Sequence, residues 1–273
     1  MFRENLKSLV EDKKSILCVS IDPALPRHRE RFVIPEKYLK NAASLEEAYL
    51  NFILDIIDSV CDYAVLVKFN IWYVFPLSYK NLKYIVQYSH RRNLLTILDC
   101  KINDITDTVN IGLQWIKDIE FDCVTFNPLP GNLCNVVEIC KKLGIGVLVL
   151  TLMSNKESII YFKESMHGGR PLFTRIAEQV KECDADGCVV GVTGHVDVND
   201  IKTIRKIVGS ERVLFLVGVG AQGGQLDKVR AALPGVTVVN VGRDIIYAEN
   251  VRDQAEYYRR VTWNIIHEFL QEP

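Results

Sequence analysis

LLTILDCKINDI, residues 94–105, opens on leucine and β-branched side chains and closes on three charges within one short segment. Its apolar part, LLTILDCK at 94–101, lacks polar alternation, which is the pattern of a strand buried on both faces in a parallel sheet. Asp99 and Lys101 are two apart, so on a strand they share a face that carries one acid and one base. Asp104 lies three residues beyond the lysine, where strand is expected to have given way to loop.

Seven more runs of this kind flank it: ILCVSID (16–22), YAVLVKFN (63–70), CVTFNP (123–128), GVLVLTL (146–152), GCVVGVT (187–193), VLFLVGVG (213–220) and TVVNVGRDI (237–245). Segments with helical period lie between them. Ser44 followed by Glu47 reads as a capping box for a helix whose apolar positions Ala48, Phe52, Ile53, Ile56 and Val60 recur at three and four. Similar stripes occupy 77–92, 107–119, 132–142, 171–182, 199–208, 225–233 and 251–270. Eight strand-then-helix units with no Pro/Gly/Ser-rich linker predict an α/β fold, a single-domain (β/α)8 TIM barrel over residues 1–273, with residues 1–15 an N-terminal extension packed on it. Strict alternation also suits an open doubly wound sheet. The phosphate signals described below follow runs seven and eight, where barrels place them.

The 273 residues are 48% hydrophobic and 25% charged, proportions of a globular protein with ample core. A formal net charge of -1 supplies no field for nucleic acid or an anionic membrane, so neither is an expected partner and any anionic ligand must be gathered locally. The eight cysteines form no C-x-x-C or C-x-x-H pair, several fall inside apolar runs, and the N-terminus has no secretory apolar region. These features predict reduced thiols, no metal site and a cytoplasmic location. No run approaches the roughly 18 apolar residues of a membrane span.

In a barrel the active site lies at the carboxyl ends of the strands. Run one ends in Asp22, run two in Lys68 and Asn70, run three in Asp99, Lys101 and Asp104, and runs four to six in Asn127, Ser154 and Thr193. Alone, Asp22 reads more often as a turn former or helix cap, and Lys68 equally as a snorkelling strand end. Asp99, Lys101 and Asp104 together favour a site, because burying ions costs several kcal/mol each unless the arrangement is closed and hydrogen bonded. GVGAQGGQ, 218–225, brings four glycines before a helix start at about Gln225, and VGRD offers room at Gly242 and a planar fork at Arg243. A phosphorylated small molecule is the expected substrate.

Asp99-x-Lys101-x-x-Asp104-Ile105, with Lys68 on the preceding strand, resembles the signature of the orotidine 5'-phosphate decarboxylase family, and the likeness runs from Asp22 to Arg243. The resemblance implies a cofactor-independent carboxy-lyase that converts OMP to UMP in pyrimidine biosynthesis, with Lys68, Asp99, Lys101 and Asp104 as its catalytic tetrad. It implies that Asp22 and Lys68 contact the ribose, that Asp99 faces the substrate carboxylate and that Lys101 protonates C6. Asp104 and Thr108 occupy positions that the family supplies across a homodimer interface. Ile105 belongs to the same motif, Ser154 resembles the serine that reads the pyrimidine amide edge, and Gln222, Gly242 and Arg243 fall at the phosphate.

Two departures stand out: Val217 replaces a proline common before the strand-seven glycine, and no tyrosine lies between Gln222 and Arg230. Residues 155–170, long for a βα loop, are expected to form a mobile lid. The nearest rival is a Mg2+-dependent sugar-phosphate decarboxylase or aldolase of the same suprafamily, which places an acidic metal ligand where this chain has Lys68; that cation opposes a metal. A non-catalytic nucleotide-binding barrel is the rival from another class. Met1 and a final helix at 251–270 suggest a free-standing enzyme.

Overall fold

A computed structural model of the chain describes residues 2–220 and 225–271. Eight strands close into a parallel barrel in sequential order: Leu17–Ser20, Leu66–Asn70, Leu95–Ile102, Cys123–Phe126, Gly146–Leu152, Gly187–Gly191, Val213–Val217 and Thr237–Val241. All eight fall on the apolar runs, and the first pairs with both the second and the eighth, Val19 standing opposite Val67 and Val241. Seven of them are buried along almost their full length, as expected of a sheet covered by helices outside and filled by side chains within. The third is buried at Leu95, Ile97 and Leu98 and opens to partial exposure from Cys100 onward, where the charges begin. Each fully buried apolar side chain contributes about 1.5–3 kcal/mol, so the strand is anchored at its amino end and free to present polar groups at the other.

Helices at Leu45–Val60, Tyr79–Arg91, Thr106–Ile119, Leu133–Leu143, Leu172–Glu182, Val198–Val208, Leu226–Ala231 and Val251–Gln271 match the periodic segments. The first of these starts as the sequence suggests but with a different reciprocal bond. Ser44 Oγ accepts from the Glu47 N–H, whereas the Glu47 carboxylate accepts from Ala43, one residue before the cap. A complete capping box appears instead at Asp197, which accepts from Asn199 and Asp200 while the Asp200 carboxylate accepts from the Asp197 N–H.

An amphipathic helix at Phe2–Lys13 buries Phe2, Leu6 and Leu9 under the amino end of the barrel. The Phe2 ring packs so close to Gly146 that a Cβ there would stand 2.6 Å from it. Arg3 of the same helix pairs with Asp184 and Asp186. The cleft at this end is lined by charges that largely satisfy one another, and it lies opposite the strand ends that carry Lys68, Asp99 and Lys101.

Two features depart from the sequence reading. Residues 155–171 are not a plain loop: a short 3-10 turn at Lys156–Ser158 and a π turn at Ile160–Glu164 lead into a two-stranded hairpin, Met166–His167 against Arg170–Pro171. Cys134 and Cys183 are joined as a disulfide, Cα to Cα 4.7 Å, which corrects the expectation that every thiol is reduced. Their 49-residue separation hides the pairing, because only the packing of neighbouring helices brings the two together. The other six cysteines are free. No described helix is long and apolar enough to cross a membrane.

Candidate active site

Strands two and three pair with Asn70 opposite Asp99, which sets Lys68 one pleat below the acid on the adjacent strand. Lys68 Nζ donates to Asp99 Oδ2 and Lys101 Nζ to Asp99 Oδ1, each at 2.7 Å. Exposure separates the two lysines: the Lys68 side chain is 5% accessible and that of Lys101 is 38%. Asp99 is therefore clamped by a buried cation on one oxygen and a cavity-facing cation on the other.

The expectation that Asp99 and Lys101 share a regular strand face meets a local irregularity. Pairing with strand four jumps from Leu98–Val124 to Ile102–Phe126, so four steps on one strand oppose two on the other. Lys101 sits in this bulge with φ +46°, a left-handed conformation that a lysine adopts only when its surroundings hold it there. Thr125 does the holding: its hydroxyl donates to Asp99 Oδ1 and accepts from the Lys101 N–H, both at 2.9 Å. The bulge turns Lys101 back over the carboxylate that precedes it by two residues.

Burial alone pushes the Asp99 carboxyl up, but the Lys68 and Lys101 ammoniums together outweigh it and hold the group well below the usual carboxylate range. Burial likewise lowers Lys68, and the carboxylates of Asp22 and Asp99 more than compensate, leaving it above the ordinary lysine range. Both shifts favour the charged forms of Asp99 and Lys68. Asp22 lies beside it, its Oδ1 accepting from the Asn70 N–H at 3.4 Å.

Asp104, Ile105 and Thr108 are not brought into this cluster. All three are exposed, Asp104 Oδ1 caps its own loop by accepting from the Ile105 N–H at 2.7 Å, and no described cation pairs with it. Asn127 forms a local turn by accepting from the Leu129 N–H.

Across the mouth, Ser154 follows strand five. Its Oγ accepts from Thr193 Oγ1 at 2.9 Å, and it lies so close to strand six that a Cβ on Gly191 would stand 2.6 Å from its side chain. Gly194, at φ +55°, would put a Cβ 2.3 Å from the Ser154 carbonyl oxygen. Glycine is required at both positions for Ser154 to reach the cavity. That cavity, roughly 270 Å3, is lined by Lys68, Asp99, Lys101, Thr125 and Ser154 among apolar neighbours such as Leu150 and Phe215.

A second, more polar cavity of roughly 500 Å3 adjoins it at Val217 and is lined by Asp22, Arg29, Gly218, Gly220, Gly242 and Arg243. Arg243 opens a four-residue helix directly after Gly242. Gln225 closes the glycine loop by accepting from the Gly220 N–H. Gln222, expected at the same end, lies outside the described residues. Together the two cavities have the size and polarity division of a small-molecule site with an apolar and an anion-binding half, on the scale of about 300–1,000 Å3.

Several residues here escape sequence reading. Thr125 looks like any β-branched strand residue, and the buried Ser20 to Asn240 hydrogen bond, 2.8 Å, joins two runs at opposite ends of the chain. Arg29 had a visible signal in the basic run RHRER that follows strand one, and it supplies a second guanidinium to the anion-binding half.

Comparison with known proteins agrees with this geometry. Residues 15–258 match the model of the Orotidine 5'-phosphate decarboxylase / HUMPS family. Curated relatives named orotidine 5'-phosphate decarboxylase include those of Caldicellulosiruptor bescii, 28% identical with 90% of each chain covered, and Christiangramia forsetii, 29% identical over 94% of this chain and 93% of that one. Among solved structures, a putative orotidine-monophosphate-decarboxylase from Toxoplasma gondii superposes with a TM-score of 0.82 at 23% identity, covering 98% of both chains. With the family model spanning nearly the whole barrel, the chain belongs to the Orotidine 5'-phosphate decarboxylase / HUMPS family.

Proposed function

We propose that this chain decarboxylates orotidine 5'-monophosphate to UMP, with Lys101 as the proton donor to C6. The observation that carries the reading is the Lys68–Asp99–Lys101 clamp: an ionised carboxylate held between two ammoniums, one buried and one open to the cavity. Loss of CO2 breaks the C6–carboxylate bond and leaves its electron pair on C6. An ammonium beside that carbon stabilises the developing charge and then transfers a proton to it, after which solvent reprotonates the lysine. Asp99 next to the substrate carboxylate sets like charge against like charge, about 4 kcal/mol at about 4 Å for an effective dielectric near 20, and that repulsion is relieved as CO2 departs.

The remaining roles follow the two cavities. Asp22 and Lys68 meet the ribose, Ser154 reads the pyrimidine edge, and Gln222, Gly242 and Arg243 hold the phosphate, with Arg29 lining the same half. Phosphate binding remote from C6 can drive closure of 155–170 and so lower the barrier at the reacting carbon. A Mg2+-dependent sugar-phosphate decarboxylase or aldolase is disfavoured by charge, since the strand-two position that would carry an acidic metal ligand holds Lys68, paired with Asp99.

The functional unit is read as a homodimer in which Asp104 and Thr108 complete the partner's site. Support comes from their exposure and from the apolar face around them. Trp72 and Phe75 are 76% and 72% exposed, Ile105 and Ile111 lie open, and Tyr79 packs edge-on against an exposed Trp115. Exposed large apolar side chains on a chain of near-zero net charge fit a second copy of itself.

Incubating the purified protein with OMP and following loss of orotidine absorbance tests the activity. Steady turnover to UMP without added metal is expected, and absence of turnover at micromolar enzyme contradicts the reading.

A further inference from the structure

The segment that carries Ser154 is gripped at two points by the loop after strand six. Thr193 holds the Ser154 hydroxyl directly. Four residues on, Ser158 Oγ lies 3.0 Å from the Met153 carbonyl oxygen and 2.6 Å from that of Asn155, the two carbonyls flanking Ser154. The same oxygen is 3.0 Å from His195 Nε2. Ser158 is 5% exposed, so no competing solvent is expected at this junction.

A hydroxyl has one hydrogen, and here the two carbonyls share it, the Asn155 oxygen at 2.6 Å more closely than that of Met153 at 3.0 Å, because neither carbonyl oxygen can donate. With its hydrogen directed at the carbonyls, the Ser158 oxygen is left to accept from His195, which assigns a proton to Nε2. His195 Nδ1 is buried and has no hydrogen-bond partner among the described residues, so nothing there stabilises a proton on the other nitrogen. Lys163, from the π turn of the lid segment, ties the arrangement down: its Nζ donates to the His195 carbonyl oxygen at 3.1 Å and to Asp200 at 2.7 Å.

We infer that His195 is a positioning residue for substrate recognition, donating from Nε2 to Ser158 so that Ser158 fixes the backbone on either side of Ser154. The chain of bonds runs His195, Ser158, the 153 and 155 carbonyls, Ser154. His195 touches no substrate in this arrangement. Its effect is to set where Ser154 presents its hydroxyl and backbone to a pyrimidine amide edge, and the inference rests on the reading of Ser154 given above.

The test compares three variants of the full chain on OMP. His195→Ala removes the donor and is expected to lower kcat/KM about tenfold, the scale of one buried hydrogen bond. His195→Gln places an amide N–H where Nε2 stood and is expected to recover most of that loss, which a purely packing role for the ring does not predict. Ser154→Ala reports on the underlying reading. If Ser154→Ala turns over OMP like the parent protein, the assignment of Ser154 fails. If Ser154→Ala is impaired while His195→Ala is not, or if His195→Gln is as impaired as His195→Ala, the inference about His195 is overturned. Should the alanine variant not fold, 15N NMR of the imidazole in the parent protein decides: a proton on Nε2 is expected, and a proton on Nδ1 alone overturns it.

Discussion

The Thr125 hydroxyl donates to Asp99 Oδ1 at 2.9 Å from the neighbouring strand, and Thr125 Oγ1 in turn accepts the N–H of Lys101. One uncharged side chain thus fixes both the carboxylate and the backbone bulge that turns Lys101 over it. Thr125→Val keeps the shape and removes both bonds. A hydrogen bond to a charged group contributes about 1.5–3 kcal/mol, so kcat for OMP is expected to fall about 10- to 100-fold. Steady-state kinetics alongside a melting curve check this: the fall in kcat should accompany a shift of only a few degrees in Tm.

Lys68 and Asp99 form a buried pair, with the lysine almost inaccessible. Removing one partner of such a pair typically costs about 3–5 kcal/mol because the other is left uncompensated. Lys68→Met is expected near the lower end, since Asp99 keeps Lys101 and Thr125. Denaturant unfolding of the variant measures the loss, and a stability equal to that of the parent protein contradicts the clamp.

The fold was legible because each barrel strand is a short unbroken apolar run, a property of local composition. The charged half of the site was legible for a related reason: Asp22, Lys68, Asp99 and Lys101 are ionisable groups abruptly ending such runs. What stayed hidden depends on register between strands. Thr125 reaches Asp99 only because the third strand bulges, and Ser20 meets Asn240 only because the first strand closes on the eighth. Packing between helices hid the Cys134–Cys183 bond in the same way. Asp104 was legible as a charge, and its place outside the cluster was anticipated by the family pattern, not by its spacing from Lys101.

His90 links helix Tyr79–Arg91 to the barrel through Asp122, which it meets at 2.8 Å and which also accepts from the Thr96 N–H and hydroxyl. The hydrogen bond to Asp122 raises the His90 pKa above its ordinary 6.5, against the opposing effect of burial. A raised folded-state pKa gives stability that is fully present below about pH 6.5 and is lost as pH rises through the folded value. The difference in unfolding free energy between the parent protein and His90→Gln should therefore be larger at pH 5.5 than at pH 9. With the ring one-third exposed, screening limits that change to about 1 kcal/mol. Denaturation curves at the two pH values test the sign.

Asp104 and Thr108 face outward beside an exposed aromatic face. If they complete a neighbouring site, Lys101→Ala and Asp104→Asn homodimers are each inactive, yet mixing and re-equilibrating them creates heterodimers with one intact site. Random exchange of equal amounts is expected to restore about a quarter of the parent activity. Mixtures that stay inactive although heterodimers form place Asp104 in its own subunit's site, and an Asp104→Asn homodimer that is itself active places it in none.

In the proposed reaction the Lys101 ammonium, held on Asp99 Oδ1 and partly open to the cavity, delivers the proton to C6. The most direct test of this step is turnover of OMP by Lys101→Ala, followed by orotidine absorbance with folding and dimerisation checked on the same sample. A folded dimer with no detectable decarboxylation is the predicted result, and near-normal turnover by that variant contradicts the account.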